Sequence, residues 1–125
     1  MWVFDVKTGS KKKIYEGIIT TIWPIISPDD SFIGIDTGGR YFSLFDVNGN
    51  LVKNLEAGGG IEPSWSPDGL HIAYLRGKVD PATEILLEQH IHIINTETGV
   101  DKDLTPVPGL QIEGFKWLND STIVY

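Results

Sequence analysis

The chain has 125 residues, 41% of them hydrophobic, with a net charge of −7 and no cysteine. That length and apolar content suit one domain with a packed core and exclude a disordered chain, and the missing cysteines exclude disulfides and thiolate metal sites. The acidic balance argues against a nucleic-acid partner, and no apolar run approaches membrane-spanning length, so neither nucleic-acid binding nor membrane insertion is expected.

The first predicted element is Trp2-Val3-Phe4-Asp5-Val6, a hydrophobic run that closes on Asp5 and then Gly9. Lys11-Lys12-Lys13 follows in a predicted outer strand, where lysines guard an edge against unwanted pairing. No basic segment, apolar segment and small-residue cleavage site stand in order at this end, so no leader is visible. Read as given, the chain fits the cytoplasm; cut from a longer precursor, it fits the periplasm.

Further along, one motif recurs three times: Ile22-Trp23-Pro24-Ile25-Ile26-Ser27-Pro28-Asp29-Asp30, Ile61-Glu62-Pro63-Ser64-Trp65-Ser66-Pro67-Asp68-Gly69 and Ile112-Glu113-Gly114-Phe115-Lys116-Trp117-Leu118-Asn119-Asp120. The closing motif of the first element alternates with it, as Ser43-Leu44-Phe45-Asp46-Val47-Asn48-Gly49 and Ile93-Ile94-Asn95-Thr96-Glu97-Thr98-Gly99. One full repeat reads as four short strands, Ile61–Ser66, His71–Leu75, Gln89–Asn95 and Val100–Thr105, because segments rich in Val, Ile, Tyr and Trp are separated by turn residues. Pro67-Asp68-Gly69 makes one turn and Gly99 another. The second interval is longer than the first, with the excess between Arg76 and Gln89, where Thr83 to Glu88 reads as a single turn of helix. The last predicted strand is Thr122 to Tyr125.

The class is all-β, and four antiparallel strands in each repeat of about forty residues is the pattern of a β-propeller blade. Pro63-Ser64-Trp65-Ser66-Pro67-Asp68-Gly69-Leu70-His71-Ile72-Ala73-Tyr74 resembles the core motif of the TolB-like β-propeller repeat, which also occurs in propeller domains of prolyl-oligopeptidase-type peptidases. The first copy departs from it, with Ile26 in place of the Trp and Asp30 in place of the Gly; the third loses the Ser-Pro. With strands lettered a to d, the chain divides as one partial propeller domain: strands c and d in 1–17, a blade in 18–57, a blade in 58–105, and strands a and b in 110–125. That amounts to about three blades, one of them split between the ends. The resemblance implies a six-bladed ring, so half a ring is expected here, completed either by self-association as a homodimer or by further chain.

In an antiparallel blade the d-to-a and b-to-c loops share one end, and here that end holds the irregular segments. Loops carry function disproportionately, which makes it the expected binding face, with Trp23, Glu62, Glu113, Arg40, Arg76 and Asp80 as its candidate residues. Trp23, Glu62 and Glu113 hold equivalent positions at the start of strand a, where carboxylates and indoles would suit a cation or a basic peptide. Glu88, His90 and His92 alternate on one strand face and are weak candidates for metal ligands; with no other ligand set, no cofactor and no bound metal are expected. Asp29, Asp68 and Asp120 read as turn residues whose side chains bond backbone amides.

No nucleophile elbow, phosphate loop or zinc-protease motif is present. The expected function is therefore a non-enzymatic TolB-like scaffold for a protein or peptide ligand. The alternatives are a fragment of the propeller of a prolyl-oligopeptidase-type serine peptidase, or a propeller that binds carbohydrate or another small ligand, with Glu62 and Glu113 as paired carboxylates.

Overall fold

The structure is a computed structural model that describes residues 1–16, 24–36, 41–56 and 62–125, with the backbone of Ile61. Among the described residues every regular element is a strand and every pairing is antiparallel. The strands are β1 (Trp2–Phe4), β2 (Lys11–Lys13), β3 (Ile25–Ile26), β4 (Phe32–Asp36), β5 (Phe42–Asp46), β6 (Leu51–Leu55), β7 (Ile61–Trp65), β8 (His71–Val79), β9 (Leu86–Asn95), β10 (Asp101–Asp103), β11 (Lys116–Asn119) and β12 (Thr122–Val124). They form a first pair β1-β2, sheet I in the order β3-β4-β5-β6, sheet II in the order β7-β8-β9-β10, and a last pair β11-β12.

Two kinds of turn build these sheets. In the Ser-Pro-Asp turns, Ser66 Oγ donates to Asp68 Oδ1 (2.5 Å) and accepts the His71 amide (3.0 Å), while the Leu70 amide donates to Asp68 Oδ1 (3.0 Å). Ser27, Asp29 and Ser31 repeat that arrangement, and the Ser27 hydroxyl, followed by that of Ser31, holds the Asp29 carboxyl down at about 2. At the third copy the amide of Ser121 donates to Asn119 Oδ1 (2.9 Å), so Asn119 and not Asp120 is the turn residue there. The shortened third turn moves the side-chain acceptor back by one position. In the second kind of turn, Asp5, Asp46 and Asn95 each accept backbone amides two to four residues on, and Gly9, Gly49 and Gly99 close it at φ 71°, 84° and 74°. Only glycine takes that left-handed conformation freely.

The insertion between sheet II's middle strands departs from the sequence reading. Thr83 to Glu88 is not a helical turn: Leu86 to Glu88 already belongs to β9, and β8 and β9 pair from His71 opposite Asn95 out to Val79 opposite Leu86. Asp80 closes the tip by accepting the amides of Ala82 (2.7 Å) and Thr83 (3.1 Å) on Oδ1. Pairing arm against arm gives the inward-facing backbone groups of the added residues their partners, which one turn of helix would leave open at both ends.

The sheets stack face to face in chain order, because alternate residues of each strand point to opposite faces. Met1, Ile14 and Tyr15 pack on Ile33, Ile35 and Phe45. Phe42, Leu44 and Leu55 on the other face of sheet I meet Trp65, Ile72, Tyr74 and Ile94 of sheet II. Ala73, Leu75 and Ile91 on sheet II's far face meet Ile112, Phe115, Trp117 and Ile123. Two side chains tie neighbouring layers by polar bonds: Lys53 Nζ donates to the carbonyls of Thr96 (2.9 Å) and Glu97, and Trp117 Nε1 donates to the Ser64 carbonyl (3.2 Å).

Candidate functional site

Register brings the polar residues of β8, β9 and β10 onto one face. His90 lies opposite Arg76, His92 opposite Tyr74 and Asp103, and Asp101 opposite Ile94. His90 Nδ1 is 2.8 Å from Asp103 Oδ2, His92 Nδ1 is 3.2 Å from Asp101 Oδ2, and Arg76 Nη1 is 3.5 Å from the same Asp101 oxygen. The His92 ring stacks on Tyr74 at 5.5 Å between centroids. Tyr74 is 2% exposed, and neither its hydroxyl nor Asp101 Oδ1 has a hydrogen-bond partner. Burial pushes the Tyr74 phenol far up, and the Asp101 carboxylate beside it adds to that.

This ladder holds the connection from β10 to β11. His90 Nε2 is 3.0 Å from the Val107 carbonyl, the Gly109 amide donates to Glu88 Oε2 (3.1 Å), and the Gln89 amide donates to the Leu110 carbonyl (2.7 Å). Both ring nitrogens of His90 therefore face acceptors. A neutral imidazole can donate to only one of them, so the arrangement suits the imidazolium. The bond to Asp103 is the main cause that raises the His90 pKa above its ordinary 6.5. Burial works to raise Asp103, but His90, the Thr105 amide and the charges of both histidines outweigh it and hold the carboxyl below 3.8.

The sign follows for each partner. His90 contributes stability below pH 6.5 and loses it as pH rises through its folded value; Asp103 contributes above 3.8 and loses it as pH falls. The melting temperature of the wild type should thus exceed that of His90→Gln most between those limits, and the difference should close on the alkaline side. A difference that stays constant from pH 5 to pH 9 in thermal melts would count against the ionised pair.

The residues singled out from sequence are distributed as follows. Glu88, His90 and His92 do share a face, yet Glu88 is engaged by the Gly109 amide and the two histidines by Asp103 and Asp101, and no three metal-ligating side chains converge among the described residues. Arg76 belongs to the ladder, and Asp80 closes the hairpin tip, where the amides of Ala82 and Thr83 lower its pKa. Glu62 is exposed with φ 53°, and its Oε2 lies 3.8 Å from where a side chain on Gly114 would start, so it reaches the neighbour of the exposed Glu113. Trp23 and Arg40 lie outside the described residues. Sequence reasoning missed Asp101, Asp103 and Tyr74; the alternation of Asp101-Lys102-Asp103 against Glu88, His90 and His92 was the available signal.

Two grooves flank sheet II. One, of about 550 Å³, opens among the tight turns between sheets I and II and is lined by Asp29, Asp68, Lys53, Trp65 and Glu97. The other, of about 410 Å³, opens between sheet II and the last pair, lined by Ile91, Ile93, Leu104, Trp117, Ile123 and Tyr125.

No family model matches the chain. It is similar to a lasso peptide isopeptidase from Asticcacaulis excentricus, 28% identical over 97 residues that cover 74% of this chain and 12% of the relative. Among solved structures it resembles the tricorn protease with a TM-score of 0.61 at 16% identity, over 83% of this chain and 10% of that one. It also resembles a eukaryotic initiation factor with a TM-score of 0.54 at 20% identity, over 75% of this chain and 23% of that one. The chain thus spans a small part of each of these three proteins, and the structural likenesses concern the fold alone.

Proposed function

We propose that this chain forms consecutive blades of a TolB-like β-propeller in a peptidase-type protein that acts on peptides, with the catalytic groups supplied outside these 125 residues. The observation that carries this reading is the 28% identity to the isopeptidase across 97 residues. The two four-stranded sheets, in up-and-down order with their first strands in contact, agree with a blade stack. In such a protein the propeller positions and admits substrate, and the exposed Glu62 and Glu113 stand where a peptide would pass.

The test is a native extract probed with an antibody against this chain and with a fluorophosphonate, which labels activated serines. The reading expects the antibody to mark a species much heavier than 13.9 kDa that also takes the label. An unlabelled species of 13.9 kDa would overturn it. That outcome would favour the second reading, a non-enzymatic scaffold for a basic peptide, for which the approach of Glu62 to Gly114 is the supporting observation.

A further inference from the structure

Of the five asparagines in the chain, Asn48 alone precedes a glycine; the others precede Leu51, Leu55, Thr96 and Asp120. A side chain on the following residue hinders its backbone nitrogen from reaching the asparagine amide, and Gly49 presents no such hindrance. Asn48 is exposed, in the turn from β5 to β6, and the two equivalent turns carry Thr8 and Thr98 before Gly9 and Gly99. Only the middle turn therefore holds an amide at this place. Its residues are held by backbone bonds: the Gly49 amide donates to the Asp46 carbonyl (2.9 Å), and the Asp46 amide donates to the Asn50 carbonyl (3.0 Å). Asp46 Oδ1 also accepts the amides of Asn48 and Asn50, at 2.8 Å each. Behind the turn lies the first pair, so close that a Cβ on Gly49 would stand 2.8 Å from Ile14 Cα. Ile14, with Met1 and Tyr15, is what packs that pair on sheet I.

We propose that Asn48 is a latent modification site, closed to spontaneous deamidation while the first pair is docked on sheet I and open to it when that pair lifts away. The reaction needs only water. The Gly49 nitrogen, once it gives up its proton, attacks Asn48 Cγ; the new C–N bond closes a succinimide, the Cγ–Nδ2 bond breaks, and the amide nitrogen leaves as ammonia with that proton. Water then opens the ring at Cγ to give aspartate, or at the main-chain carbonyl to give isoaspartate. In the closed turn the proton that must leave is bonded to the Asp46 carbonyl, and the Asp46 carboxylate beside it opposes a second negative charge on the Gly49 nitrogen. Both brakes depend on the turn being formed. Ile14 backs that turn, so undocking the first pair removes its packed side and lets it fray to water. Isoaspartate then makes the loss permanent: it adds a methylene to the main chain between bonds that fix Asp46 to Asn50, and the space behind Gly49 is already filled by Ile14. A passing separation of the layers is thereby recorded as a covalent one. The inference is independent of any peptidase activity.

The test follows the tryptic fragment Tyr41–Lys53 by mass spectrometry while the full chain stands in mildly alkaline buffer, folded or in guanidinium chloride. Conversion of Asn48 should be at least about tenfold slower in the folded chain, because only the opened fraction reacts. Ile14→Ala should raise the folded rate by about fivefold or more, whereas Ile123→Ala, which loosens the last pair instead, should leave it unchanged. Should Ile14→Ala fail to fold by circular dichroism, Tyr15→Ala is the milder substitute, since Tyr15 meets Phe45 edge-on at 5.3 Å. Chains converted in denaturant and refolded supply the last measurement. Those carrying isoaspartate should show faster amide exchange at Ile14 and Tyr15 than Asn48→Asp, which has the same charge without the added methylene. Equal rates in folded and unfolded chain, equal effects of loosening the first and last pairs, or identical exchange in the isoaspartate chain and Asn48→Asp would each overturn the proposal. None of these outcomes bears on fluorophosphonate labelling of a longer native species.

Discussion

Gly49→Ala should destabilise the chain by about 2 to 4 kcal/mol, the sum of a left-handed backbone forced on an alanine and a collision with fixed atoms. The residue sits at φ 84°, and a Cβ added there would lie 2.8 Å from both Cα and Cβ of Ile14 and 2.9 Å from its carbonyl oxygen. Two of those three atoms are backbone, so no side-chain rotation relieves the contact. Ile14 is itself 6% exposed and anchors the first pair on sheet I, which means the substitution pries that layer away. Gly99→Ala provides the control, since Gly99 has φ 74° but nothing within 4 Å of its would-be Cβ. It should lose only the conformational part, about 1 to 2 kcal/mol. Urea unfolding of both variants separates the two contributions, and equal losses would show that the Ile14 contact is absent.

The second large effect belongs to Tyr74. Tyr74→Ala removes a side chain that is 2% exposed between sheets I and II, and should cost about 4 kcal/mol, as other buried aromatic truncations do. Tyr74→Phe should be within about 0.5 kcal/mol of wild type, because a buried hydroxyl without a partner has no bond to lose and a desolvation penalty to recover. Against a net stability of roughly 5 to 15 kcal/mol for a domain, the alanine variant is expected to melt far earlier while the phenylalanine variant is not. A loss above about 1.5 kcal/mol in Tyr74→Phe would mean that the hydroxyl is bonded, with Asp101 the nearest acceptor to examine.

The all-β class was legible because turn chemistry is local. Ser66 to His71 contain in six consecutive residues the bonds that close their turn, so the motif can be read without knowing what surrounds it. Asn119 shows the limit of that reading. Matching by composition selects Asp120, but the acceptor must sit two residues before the amide it caps, and only Asn119 does. The segment from Thr83 to Glu88 misled for a related reason: Leu86 and Leu87 suit either state, and what decides is the pairing with Val79 and Lys78 on the other arm. The histidine and aspartate ladder was half visible. Alternation put Glu88, His90 and His92 on one face, yet their partners Asp101 and Asp103 depend on the register of β9 against β10.

The long β8-β9 hairpin also bears on how such a chain can vary in length. Beyond Leu75 the two arms have no other strand beside them, since β7 stops at its pairing with Leu75 and β10 at its pairing with His92. Residues gained or lost near Asp80 therefore leave every buried contact where it is, provided they come symmetrically, one on each arm. An unpaired addition would turn the outer residues of one arm over, because a shift of one position exchanges the two faces of a strand. Related chains should accordingly differ here by even numbers of residues, or carry a bulge such as the one between Lys78 and Val79 that absorbs an odd one.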